Sequence, residues 1–112
     1  MNQDTGNIEK GIPFHLSENI AYAIGSVVSK TLLKKECGNI TLFSFEQGQG
    51  LSEHTATFDA VVYILDGAAE ITIGGKAKTV REGELLIMPA NVPHTLQAVE
   101  RFKMLLIMIK SE

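Results

Sequence analysis

The stretch that decides the fold is GLSEHTATFDAVVYILDG, residues Gly50 to Gly67. Its second half, Ala60 to Leu65, is an unbroken apolar run rich in β-branched and aromatic residues. It is bounded by Asp66-Gly67, a turn pair, so it reads as a buried strand ending in a turn. Its first half carries His54. Residues two apart on a strand point to the same face. Without a bulge, His54, Ala56, Phe58 and Ala60 share one face, and the carboxylate of Asp59 points away from them.

A second segment, GELLIMPANVPHTLQA, residues 83–98, has the same form. Leu85 to Met88 reads as a short buried strand closed by Pro89. Pro93 fixes how the next strand enters, and His94, Leu96 and Ala98 share a face of it. Two imidazoles then converge on a pocket lined by Ala56, Ala60, Leu96 and Ala98. A transition metal in such a place wants at least three protein ligands. His54 and His94 supply two, so the residues leave room only for a weakly held divalent metal, with Asp59 as a third donor only if a bulge turns it inward. The other reading of the pair is as hydrogen-bonding anchors for a small organic molecule in a pocket of otherwise apolar walls.

These two segments resemble the two motifs of the cupin superfamily. In the first, G-x5-H-x-H-x3-E-x6-G, Gly48, His54 and Gly67 match, while Ala56 and Ala60 stand where the second histidine and the glutamate would be. In the second, G-x5-P-x-G-x2-H-x3-N, Gly83, Pro89 and His94 match, Asn91 replaces the inner glycine, and Ala98 stands at the asparagine. Asn tolerates the left-handed backbone that a glycine often serves. The resemblance runs from about Leu42 to Ile109. It implies an all-β, jelly-roll barrel of the double-stranded β-helix type, with a pocket inside and His54 and His94 as the remnant of a larger metal-ligand set. It also implies a dimer.

The flanking sequence agrees with an all-β domain. Val27 to Lys34 and Ile40 to Glu46 read as a hairpin around a Glu36-Cys37-Gly38-Asn39 turn, with Gly38-Asn39 supplying its positive φ. On the first strand Val28, Lys30, Leu32 and Lys34 alternate with Val27, Ser29, Thr31 and Leu33. Glu70 to Ile73, Gly74-Gly75 and Lys76 to Val80 form the clearest hairpin, which sets Ile73 opposite Lys76 and Ile71 opposite Lys78. Phe102 to Ile109 is the last strand. Many short strands with glycine turns and no helix-period segment mean a sandwich or barrel. Residues 1–26 read as an N-terminal extension and 27–112 as the barrel. Within the extension, Met1 to Gly11 is polar and expected to be mobile. Ser17 is placed to cap one helical turn that Gly25 ends, and His15 reads as a surface histidine.

Both faces of Ala60 to Leu65 and of Leu105 to Ile109 are apolar. One face can line the barrel; the other needs cover, and a second copy of the chain is the simplest one. The 112 residues are one domain, 45% hydrophobic and 21% charged, with net charge −3. Mixed charge of that sign argues against a nucleic-acid partner and against a basic membrane-binding patch. A single cysteine, Cys37, excludes an internal disulfide and fits a reducing compartment. No signal-peptide pattern opens the chain, and the longest apolar run, Met104 to Ile109, is too short to span a bilayer. The expected location is the cytoplasm. Three readings of function stay open from the residues alone: a small-molecule-binding barrel, a metal-dependent oxygenase or isomerase with a reduced ligand set, and a non-catalytic dimeric scaffold.

Overall fold

A computed structural model describes residues 2–3 and 8–110. Nine strands build it: β1 (Asn2–Gln3), β2 (Val27–Lys35), β3 (Gly38–Phe45), β4 (Gly50–His54), β5 (Ala60–Ile73), β6 (Lys76–Arg81), β7 (Leu85–Met88), β8 (His94–Gln97) and β9 (Phe102–Ile109). The only helical element among the described residues is a 3-10 turn, Ser17–Asn19. Strands β1, β2, β3, β9, β5 and β7 lie side by side in one sheet. The other sheet runs β4, β8, β5, β6. The two sheets share β5, which gives the all-β jelly roll that the two motifs imply.

Strand β5 does not stop at Asp66-Gly67. It runs on for 14 residues, with its register against β9 shifting between Ile64 and Asp66. Ala60 to Gly67 pair with β9, and Ala68 to Ile73 pair with β6. The expected turn is therefore a bulged corner at which one strand passes between sheets. Gly67 sits at φ 73°, and a side chain there would collide with the Arg101 carbonyl.

Two other local readings are corrected. The β2–β3 connection turns at Glu36-Cys37, and Gly38 already pairs with Lys35 in the ladder. Gly38 is needed because β9 passes close: a Cβ there would strike the Met108 carbonyl. Strict alternation in β2 also fails, because a bulge between Thr31 and Leu33 puts Leu33 opposite Ile40 on the same face as Lys30. The β5–β6 hairpin is as expected: Gly74 and Gly75 both have positive φ, and Ile73 and Ile71 face Lys76 and Lys78.

The inner faces of both sheets meet in one apolar core. Phe43, Phe45, Val62, Ile64, Phe102 and Met104 come from one sheet, and Ala69, Ile71, Leu96 and Val80 from the other. Phe45 stacks on Phe102 at 4.5 Å between ring centroids, within the range in which aromatic pairs add to burial. The outer face of the larger sheet is also apolar. Leu42, Leu105, Tyr63 and Leu85 lie across it in one row, and Ile40, Ile107, Val61 and Ile87 in the next.

Part of that outer face is covered by the segment before β2. Ser44 Oγ donates to the Ala21 carbonyl at 2.8 Å, Lys103 Nζ to that of Ser17 at 2.6 Å, and Tyr22 Oη to Asp66 Oδ2 at 2.6 Å. Arg101 lies 4.3 Å over the Tyr22 ring. Ile20 of this strap is buried, as are Leu42 and Ser44 on the β3 face it crosses. The expected helical turn is present, but its N-cap is Leu16 without a side-chain bond; Ser17 does not cap it. His15 is exposed beside Glu18. Of the opening residues expected to be mobile, 1 and 4–7 lie outside the described residues, while Asn2–Gln3 pair in parallel with Val28–Ser29.

Candidate functional site

His54 ends β4 and His94 begins β8, and the two are cross-strand partners. Leu51 faces Leu96, two residues from His94, yet His54 is three residues from Leu51, so β4 carries one extra residue. That bulge turns His54 toward the barrel beside His94. Counting by twos from Leu51 would have put Glu53 there. The same count cannot be carried from His54 to Ala60, because residues 55–59 form a loop between β4 and β5.

The two rings meet at their tips. Nε2 of His54 and Nε2 of His94 are 3.0 Å apart, with the rings edge to face. Each Nδ1 lies against the backbone carbonyl two residues earlier, His54 on Ser52 at 3.0 Å and His94 on Val92 at 3.3 Å. A carbonyl only accepts, so both Nδ1 atoms donate, and each ring is left with Nε2 as its acceptor. Two facing lone pairs at this distance need a positive species between them. If it is a proton, the pair holds three N–H hydrogens and one net positive charge. His94 is 3% exposed, and burial, with the neighbouring His54 charge as a smaller cause, holds its pKa below the usual histidine value.

Ala60, Leu96 and Ala98 are buried in the apolar core, and Ala56 is half-buried in the 55–59 loop. The fold brings His54 and His94 together with Leu96 one inward step below. Ala98 lies a further step along the chain, past the end of β8. Asp59 does not join the pair: its Oδ1 accepts the Ala90 amide at 2.8 Å. Asn91 takes φ 64°, the left-handed conformation expected of it, and its amide donates to the Ala56 carbonyl at 2.7 Å. The clasp between residues 55–59 and 89–93 was not legible in the sequence, because nothing in the local pattern ties Asp59 to Ala90.

A resident metal does not fit these residues. The spacing of the two Nε2 atoms is that of neighbouring donors on an octahedral ion with bonds of about 2.1 Å. Two donors are nevertheless fewer than such a site needs. Among the described residues no group of three or more His, Cys, Asp or Glu side chains comes together. An apolar concavity of about 190 Å³, lined by Leu33, Cys37, Ile40, Ile107 and Ile109 among others, opens at the β2–β3 turn, on residues that hold no histidine.

The model of the cupin domain matches residues 41–110, well over half of the chain. The chain is a cupin. This cupin is similar to a conserved protein of unknown function from Streptococcus pyogenes, with 40% identity, 96% of this chain and 95% of that chain covered, and a TM-score of 0.90. It is also similar to a cupin superfamily protein from Desulfitobacterium hafniense at 30% identity, covering 96% and 99% of the two chains with a TM-score of 0.88. A cupin 2 conserved barrel domain protein from Leptotrichia buccalis is 43% identical with a TM-score of 0.84; 87% of this chain matches 47% of that one. No curated protein matches the chain. No helix among the described residues is long and apolar enough to cross a membrane.

Proposed function

We propose that this cupin binds a small, partly apolar organic acid at the mouth of its barrel, its anionic group against the His54–His94 pair. The observation that carries this reading is the convergence of two Nε2 atoms whose opposite ring nitrogens are both committed to backbone carbonyls. With a proton between its Nε2 atoms, such a pair presents one positive charge at a single point. Leu96 lies one inward step below it, Ala60 and Ala98 are buried in the same apolar core, and Ala56 is half-buried in the loop after His54. Such a mix of a few polar groups with methyl and aliphatic ones is the usual composition of a small-molecule site. A carboxylate pairs with the charge, and affinity falls as rising pH removes the shared proton. A metal-dependent oxygenase or isomerase is the weaker reading, since the donor set is incomplete.

The test is a thermal-shift screen of small carboxylates and cyclic metabolites on the wild type, His54→Ala and His94→Ala. At least one compound should stabilise the wild type and lose its effect in both variants. A screen with no wild-type hit, or with hits that stabilise the variants equally, leaves the scaffold reading in its place. The single, exposed Cys37 supports a reducing compartment, and we assign the cytoplasm; cell fractionation recovering the protein elsewhere would overturn that.

A further inference from the structure

We infer that Asp59 is a positioning residue for the His54–His94 pair, acting through the loop that precedes His94. The inference rests on the proposed role of the pair, and it names the device that holds the pair in register.

His94 depends on the Val92 carbonyl for its tautomer and ring orientation. Val92 lies in the Pro89–Pro93 loop, between β7 and β8. That loop is held at three points. The Ala90 amide donates to Asp59 Oδ1 at 2.8 Å, the Asn91 amide to the Ala56 carbonyl at 2.7 Å, and the Gly74 amide to the Pro93 carbonyl at 2.9 Å. Val92 therefore sits between two backbone clamps, on Asn91 and Pro93. The Asn91 clamp is shared with residues 55–59, which begin directly after His54. Asp59 closes the same clasp from the far end of that short loop. The loop that follows one histidine is thus tied to the loop that precedes the other.

Of the three ties only the first uses a side chain. A carboxylate accepting a backbone amide is a charge-assisted bond, stronger than its neutral equivalent. Asp59 itself is exposed, outside the apolar core, so its loss leaves the barrel packing intact. Its loss releases Ala90 and leaves this end of the loop held by the Asn91–Ala56 backbone bond alone. The Val92 carbonyl then moves relative to β8, and the Nε2 separation is no longer fixed at hydrogen-bonding distance. Preorganised pairs lose function on small displacements of this kind.

The experiment compares Asp59→Ala with Asp59→Asn, which keeps a carbonyl oxygen in the Oδ1 position. The imidazole 15N resonances of both rings are recorded at one fixed pH, and benzoate is titrated as a carboxylate probe. In the wild type and Asp59→Asn the Nε2 resonances should show one shared proton and both Nδ1 atoms protonated. In Asp59→Ala they should separate into those of two independent rings, with benzoate bound about tenfold more weakly. A purely structural role would lower thermal stability and leave the ring resonances of the folded protein where they were. Wild-type ring resonances in Asp59→Ala overturn the inference, and so does Asp59→Asn behaving like Asp59→Ala, since the acceptor oxygen would then not be what acts. If benzoate fails to bind the wild type, the organic-acid reading loses support while the ring resonances still decide the role of Asp59. Should Asp59→Ala not fold, Asp59→Glu takes its place: it keeps the charge, moves the oxygens one methylene away, and should show the same separation of the rings.

Discussion

Ile107→Lys should separate a dimer into monomers with little harm to the barrel. Ile107 lies near the middle of the outer sheet face, between Ile40 on β3 and Val61 on β5, with Ile87 beyond Val61. Leu85, Ile87 and Ile109 at its margins are 57%, 56% and 61% exposed, so a row of aliphatic side chains faces water in the single chain. A stable pair of proteins covers about 800 Å² on each partner, and a face three to four strands wide supplies that area. In the monomer the lysine stem can lie along the sheet with its amine in water, at small cost. In a dimer the amine is trapped between two apolar faces, and the two-fold relation puts one on each side. An uncompensated buried charge costs about 3–5 kcal/mol. Taking the lower figure for each of the two lysines, about 6 kcal/mol in all, the dimer dissociation constant should rise by about four orders of magnitude. Sedimentation equilibrium over a micromolar concentration series measures this. Ile24→Lys, at a 96% exposed residue in the loop before β2, is the control and should change nothing. A wild type that sediments as a monomer, or an Ile107→Lys protein that sediments like the wild type, refutes the reasoning.

Purified without added metal, the protein should carry well under one equivalent by elemental analysis, and stoichiometric metal would contradict the two-donor reading of the site. Restoring ligands with Ala56→His and Ala60→Glu should raise metal affinity sharply; because Ala60 is buried, the new carboxylate destabilises the metal-free protein. Metal at a hundredfold excess over its dissociation constant then returns about 2.7 kcal/mol. For pH, burial lowers the folded-state pKa of His94, so the folded protein binds fewer protons than the unfolded chain. The stabilisation from a neutral His94 is complete above the unfolded value of about 6.5 and is lost as pH falls through the lower folded value. Urea unfolding should show stability declining in that acid window and a shallower decline in His94→Gln; equal slopes would remove His94 as the cause.

The fold was legible because its signals are local. Ala60 to Leu65 is apolar on both faces, Gly74-Gly75 lies between two alternating runs, and Asn91 stands where the backbone turns left-handed. Each of these needs only its neighbours in sequence to be read. The pairing of His54 with His94 was suggested by two spaced motifs. Its geometry was not, because the decisive partners are the Ser52 and Val92 carbonyls, and every residue has a carbonyl. The clasp from Asp59 to Ala90 joins two loops far apart in the chain, and no periodicity carries that information. The strap before β2 escaped for the same reason: its hold on the sheet comes from Ser44, Asp66, Arg101 and Lys103, ordinary surface residues in the sequence.

The errors of alternation share one physical origin. A strand that obeys a strict period of two stays in one gently twisted sheet, and a small barrel needs sharper curvature. Here the register breaks at Thr31–Leu33, at Leu51–His54 and at Ile64–Asp66. The first turns Leu33 onto the outer apolar face. The second brings His54 beside His94. The third carries β5 from one sheet to the other. Alternation assigns the wrong face just beyond each break, and those are the places where the barrel closes and where its histidines meet. The same irregularity that hides the site from a period-two reading therefore creates it: with β4 in perfect register, Glu53 would take the inward direction, and His94 would face a carboxylate in place of a second imidazole.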